Sequence, residues 1–139
     1  MSRICVITED SRAYYALVSR LREAGLPFLS LSPGDSTGDC ELILTSRAET
    51  GRFGPSVMAL EDLDQSVDVF RGQVLARLSQ RDRTLLVGID PGSRIGMAAF
   101  LGETRLASRT FNSRSGACNT VVRLVEGVSA GRSLSLIHI

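Results

Sequence analysis

The chain contains no tryptophan and no lysine, and a single histidine among its 139 residues. No apolar run approaches the roughly 18 residues that a membrane span requires, so the sequence predicts no membrane segment. At the N-terminus, the short apolar stretch Ile4-Cys5-Val6-Ile7 is followed at once by Glu9 and Asp10. That pattern fits a first strand and not a signal peptide. The three cysteines, Cys5, Cys40 and Cys118, are widely spaced and form no CxxC pair. This predicts reduced, buried thiols in a cytoplasmic protein, ahead of a metal site or a disulfide framework.

Hydrophobic residues make up 43% of the chain and charged residues 22%, a globular composition. The net charge of +1 conceals an asymmetry. Residues 1–80 carry 8 Arg against 11 Asp and Glu, a balance of −3, whereas residues 81–139 carry 8 Arg against 4 acids, a balance of +4. A basic second half suits a polyanionic partner. All 16 basic residues are Arg. Arg can fork two hydrogen bonds onto a phosphate, although a lysine-free chain reads first as the coding bias of a GC-rich genome.

The first 80 residues read as a small parallel-sheet α/β domain. Ile4–Ile7 is a short buried strand, and Glu9-Asp10-Ser11 offers N-cap oxygens to a helix that ends at Gly25. Further strands are expected over Pro27–Leu31, Leu42–Thr45 and Ser56–Leu60. The connections between them are too short for full crossover helices, which predicts loops or single turns and one thinly covered sheet face. Leu63, Val67, Phe70, Val74, Leu75 and Leu78 recur at spacings of three and four and predict a helix over 61–80 that closes this unit. A polar hinge, Ser79–Arg83, would follow. The Gly-rich loop Pro33–Gly38 lacks the Walker lysine and the GxGxxG spacing, so a docking or regulatory role suits this unit at least as well as nucleotide binding.

The informative stretch is Thr84–Phe100. The apolar strand Thr84-Leu85-Leu86-Val87-Gly88-Ile89 ends in Asp90, turns through Pro91-Gly92-Ser93-Arg94, and resumes as a strand rich in small residues. Gly102-Glu103 makes a tight turn into a third strand, Thr104–Phe111, so an antiparallel meander is expected. A helix should follow, capped by Ser113 or Ser115. An acid at the end of a buried strand is costly unless its charge is compensated, as a divalent cation would do. Gly88 lies on the same face as Asp90 and leaves room beside it, and Gly92 and Gly96 would let a phosphodiester backbone approach. Asp90 could also simply cap a turn. Arg94, Arg105, Arg109 and Arg114 are candidate phosphate contacts, with Arg105 and Arg109 expected on one face of the third strand. Glu103, at a hairpin tip, and Glu126, on a helix, read as solvated surface charges.

Gly88-Ile89-Asp90-Pro91-Gly92-Ser93-Arg94, with Gly96 just beyond, resembles the first strand of the RuvC-type Holliday-junction resolvases of the ribonuclease-H-like superfamily. The resemblance covers about 50 residues and none of the first 80. It implies that residues 84–133 are the truncated start of a ribonuclease-H-like domain, a β-meander plus helix, with Asp90 as catalytic and metal-binding residue. It further implies Mg²⁺ or Mn²⁺ as cofactor, structured DNA or RNA as partner, and phosphodiester hydrolysis by two metal ions, with the other carboxylates lying beyond Ser133. Gly92, Ser93, Arg94, Arg105 and Arg109 become its nucleic-acid-binding candidates. The same Asp-x-Gly-Ser opening is also similar to the sugar-kinase, actin and chaperone-ATPase superfamily, which implies an ATP-binding module as the alternative. A non-catalytic nucleic-acid-binding relative is the third reading. Because later parallel strands would complete the far side of the sheet in such a fold, the outer edge of Leu85–Ile89 is expected to be unpaired.

The last six residues, Leu-Ser-Leu-Ile-His-Ile, match what CTG TCT CTT ATA CAC ATC would encode, a string that resembles a transposon end used to fragment DNA for sequencing. Residues 134–139 are therefore expected to be an adapter-derived tail, which removes His138 from any catalytic argument. The other reading of this segment is a short apolar strand.

Overall fold

The computed structural model describes residues 3–78, residues 84–128, and the backbone of residues 133–138. The expected hinge, Ser79–Arg83, lies outside these. The protein is α/β and divides into two compact units, Met1–Val67 and Asp68–Ile139.

In the first unit β1 (Ile4–Ile7), β2 (Phe28–Leu31), β3 (Leu42–Thr45) and β4 (Val57–Ala59) form a parallel sheet in the order β2-β1-β3-β4. Every residue of β1 and β3 is buried, as expected of central strands covered on both faces. Helix α1 (Ser11–Glu23) is capped by Asp10, whose carboxylate accepts from the backbone N–H groups of Arg12 and Ala13 at 2.9 and 3.3 Å. It terminates at Gly25, where φ is +69°. Ala13, Leu17, Val18 and Leu21 are its buried residues. Cys5, Ile7 and Ile43 form a separate small cluster, topped by the half-buried Leu31, Cys40, Phe53 and Val57. As anticipated, no helix fills the β2–β3 connection, and only a short 3₁₀ helix, Arg47–Arg52, fills that between β3 and β4.

Two expectations about the cysteines fail. Cys5 and Cys40 are joined by a disulfide, their Cα atoms 5.8 Å apart. The β2–β3 loop returns beneath β1, where Arg3 O accepts from the N–H groups of Glu41 and Leu42. That return places Cys40 beside Cys5. Cys118 is unpaired and exposed, not buried.

The single helix expected over 61–80 is shorter and belongs elsewhere. Leu60–Asp62 is a 3₁₀ turn, and the Asp64 carboxylate accepts from Ser66 N–H at 2.8 Å. This local bond delays the helix, so α2 spans Val67–Leu78. Most of it falls within the second unit. Its residues Val69 and Ala76 share a core with Leu85, Val87, Met97, Ala99, Leu101, Leu106, Ala107, Leu124 and Val128.

That core belongs to a second sheet, of β5 (Thr84–Asp90), β6 (Ile95–Leu101), β7 (Thr104–Phe111) and β8 (Ser133–His138), in the order β7-β6-β5-β8. The meander is antiparallel as expected, and Gly102, at φ +59°, makes its tight turn. α3 (Arg114–Val128) follows. The edge of β5 expected to be open is paired: β8 runs parallel to it from Thr84↔Ser133 to Ile89↔His138. The terminal segment is therefore extended and paired, whatever its coding origin.

The disulfide closes a loop with a sequence separation of 35 residues. A cross-link of that span stabilises by about 3–4 kcal/mol through the unfolded state. Adding a thiol reductant should therefore lower the first thermal transition by about 10 °C or more. Superimposable melts with and without reductant would mean that the two cysteines are not bonded in solution.

Candidate functional site

Asp90 ends β5 on the face opposite the buried core. Along β5 the side chains alternate: Leu85 and Val87 point into the core, while Gly88 and Asp90 lie on the other side. Register carries this across the sheet, pairing Asp90 with Gly96, Gly88 with Ala98, and these in turn with Thr110 and Ser108. Gly88, Asp90, Gly96, Ala98, Ser108 and Thr110 line a shallow depression of about 230 Å³. The room beside Asp90 that the glycines suggested is present. However, Asp90 is exposed, so no burial cost demands a cation. Pro91, Gly92, Ser93 and Arg94 form an exposed turn next to it. Glu103 and Glu126 are both exposed, as anticipated.

The two β7 arginines do not share a face. The pairing runs Met97↔Arg109, Ala98↔Ser108 and Ala99↔Ala107, then shifts to Phe100↔Arg105. The extra residue in β7 is a bulge, and Leu106 and Ala107 are both buried around it. Because strand side chains alternate with period two, one inserted residue moves Arg105 to the side of Phe100 and leaves Arg109 with Met97. Arg109 forks onto Asp68 of α2, with Nε to Oδ2 at 2.6 Å and the second nitrogen to Oδ1 at 2.8 Å. The hydrogen bonds and charge of Asp68 hold Arg109 ionised more firmly than usual, against a smaller burial cost. Arg94 and Arg105 remain exposed.

A Mg²⁺ or Mn²⁺ pair needs several converging donors. Among the described residues no group of three or more His, Cys, Asp or Glu side chains could hold a metal. Asp90 by itself does not fit a two-ion centre, and no step through metal ions is assigned to this chain.

The first unit holds a denser polar cluster, built where β1 and β3 end. In open parallel sheets the crevice beyond the carboxyl ends of two strands whose connections diverge is the usual ligand position, and β1 and β3 are that pair. Here the crevice holds the Glu49 carboxylate, carried in by the 3₁₀ helix. Its Oε2 accepts from the Thr8 hydroxyl, from Ser46 Oγ at 2.6 Å and from Thr45 Oγ1 at 3.3 Å. Its Oε1 accepts from Glu9 N–H at 2.8 Å, with Arg52 at 4.0 Å. Glu49 is 7% exposed, Ser46 6% and Thr45 0%. Burial alone would raise the Glu49 pKa, but the bonds from Glu9 N–H, Ser46, Thr8 and Thr45 outweigh it and bring it down from 4.5 to about 2.

Sequence reasoning passed over this cluster and looked instead at the loop Pro33–Gly38, which is an ordinary turn with Asp35 accepting from Ser32 N–H. The available signal was the placement of hydroxyl residues, Thr8 and Thr45-Ser46, just at the ends of two buried strands.

Residues 3–70 match the response regulator receiver-like domain family, just under half of the chain. A search of curated proteins finds no significant match. A solved structure of Marinitoga piezophila Argonaute in complex with 5′ OH guide RNA aligns with 99% of this chain and 35% of its own, at 9% identity and a TM-score of 0.29. That score is too low to support a shared fold, and the chain spans about a third of that protein. No helix among the described residues is long and apolar enough to cross a membrane.

Because the folded-state pKa of Glu49 is depressed, its contribution is complete above about 4.5 and is lost as pH falls towards about 2. Glu49→Gln should cost the first unit about 1–3 kcal/mol at neutral pH, since hydroxyls lose a charged acceptor. It should also flatten the acid limb of the stability curve between those values. An unchanged acid limb in the variant would remove Glu49 from the pH response.

Proposed function

We propose that residues 84–133 are the opening of a ribonuclease-H-like domain of the RuvC type, a nucleic-acid-processing unit. In this reading the first unit is a receiver-like domain with a regulatory or docking role. The observation that carries the proposal is topological. β5 pairs with the first strand of an antiparallel meander, and Asp90 stands at its carboxyl end above a depression floored by glycine and alanine. This is the arrangement that the resemblance of Gly88–Arg94 implies. The match over residues 3–70 supports the reading of the first unit by likeness alone.

Nucleic acid would meet the exposed turn Gly92-Ser93-Arg94, where the Gly92 backbone permits close approach and Arg94 offers a phosphate donor. Arg105 extends the same face. Arg109 has a weaker claim, because releasing it to a phosphate would leave Asp68, whose side chain is 13% exposed, without its partner.

The test is binding of branched and single-stranded DNA and RNA as a function of salt, followed by fluorescence anisotropy. Arg94→Ala and Arg105→Ala should each weaken binding and lower the salt slope by about 1. Arg109→Ala should chiefly lower the melting temperature. No cleavage should occur in Mg²⁺ or Mn²⁺, since one carboxylate cannot seat two ions. Cleavage that vanishes in Asp90→Asn would overturn that last point. Salt-dependent binding of ATP, with none of nucleic acid, would move the assignment to the kinase and actin class.

A further inference from the structure

The Glu49 cluster has the make-up of a ligand site, with the ligand supplied by the chain. Four neutral donors from two strand ends, the hydroxyls of Thr8, Thr45 and Ser46 and the N–H of Glu9, converge on one carboxylate. They gain nothing from one another that would require an anion: Thr45 and Ser46 could cap backbone groups, and Thr8 already accepts from Asp10 N–H at 3.0 Å. The tether that brings Glu49 in is short. The 3₁₀ helix is fixed at its start, where Arg47 N–H donates to Glu61 at 3.1 Å and the Arg47 guanidinium pairs with Asp62. Its other end reaches Gly51 and Gly54, neither of which has a neighbour within 4 Å of a Cβ position. The end is held by Phe53, which packs on the Cys5, Ile7 and Ile43 cluster, so withdrawal of Glu49 would proceed through its own side-chain torsions.

We propose that the crevice at the ends of β1 and β3 is a carboxylate-binding pocket that the chain keeps closed with Glu49. The ligand class follows from the charges around it. Glu9 is exposed beside the crevice and Arg52 is the cation within reach, 3.6 Å from Glu9 and 4.0 Å from Glu49. A doubly charged phosphate would bring an extra negative charge to a guanidinium already shared with Glu9, whereas a singly charged carboxylate replaces Glu49 without adding charge. The pocket therefore selects a small monocarboxylate, or a carboxylate side chain or chain end presented by a partner. The proposal concerns the first unit and does not depend on the reading of the second.

Chemical rescue tests it in the full chain. Glu49→Ala empties the pocket and should lower the first thermal transition. Sodium formate should restore it by about 5 °C or more, saturably, while sodium chloride at equal ionic strength should not. Sodium phosphate should do no better than chloride. Glu49→Gln, whose amide still fills the space, should not respond to formate. A formate response no larger than that to chloride in Glu49→Ala, whether the variant is folded or not, overturns the proposal. An equal response in Glu49→Gln also overturns it, by placing the anion effect elsewhere. Rescue by free formate identifies the pocket; competition of formate by a peptide with a free C-terminus, but not by its amide, would assign a protein partner as the source.

Discussion

The close approach of α2 and α3 decides what the second unit presents to solvent. A Cβ at Gly72 would sit 2.6 Å from Val128 Cγ2, and one at Gly127 would sit 3.0 Å from Val69 Cγ1. Two glycines thus let the helices share one core with the Leu85–Val87 side of the sheet. Glycine inside a helix costs roughly 1 kcal/mol against alanine, and here the loss is offset by apolar packing that a methyl group would disrupt. The consequence is asymmetry. The helices cover one sheet face, so Asp90 and the small residues beside it line a depression on the other.

Legibility in the sequence followed the range of the interactions involved. The meander, the Gly102 turn and the Asp10 cap depend on neighbours a few residues apart, and all three were readable from turn chemistry and alternation. The ownership of α2 was not, because its apolar repeat shows only that a face will be buried and not against which sheet. The bulge in β7 was equally hidden. Arg105 and Arg109 stand four apart, which in a regular strand puts them on one face. The shift between Ala99 and Phe100 arises because both Leu106 and Ala107 are drawn into the core. Similarly, the bond between Cys5 and Cys40 depends on where the β2–β3 loop returns, which spacing does not encode.

The edge of β5 illustrates the difference between a sequence's origin and its conformation. Leu134, Leu136 and Ile137 give the terminal segment high strand propensity, and a parallel neighbour offers it a row of backbone donors and acceptors. Any apolar segment of this length arriving after α3 meets the same template. Pairing there follows from the edge and says nothing about how the segment came to be encoded.

The contrast between Asp90 and Glu49 shows why a motif is a weaker guide than an environment. Asp90 carries the motif, yet it stands exposed, solvated at no great cost, with no second acid drawn to it by the described fold. Its chemistry rests on resemblance. Glu49 carries no motif and pattern reading passed over it, since its partners come from residues 8, 9, 45 and 46. Yet burial leaves it only two options, protonation or complete hydrogen bonding, and the strand ends supply the second. An acid whose charge is fully solvated by protein holds four donors in place, and those donors fix the crevice at the point where a parallel sheet of this order most readily takes a ligand. The organised chemistry of this chain therefore lies in its first unit, where the sequence looked plainest.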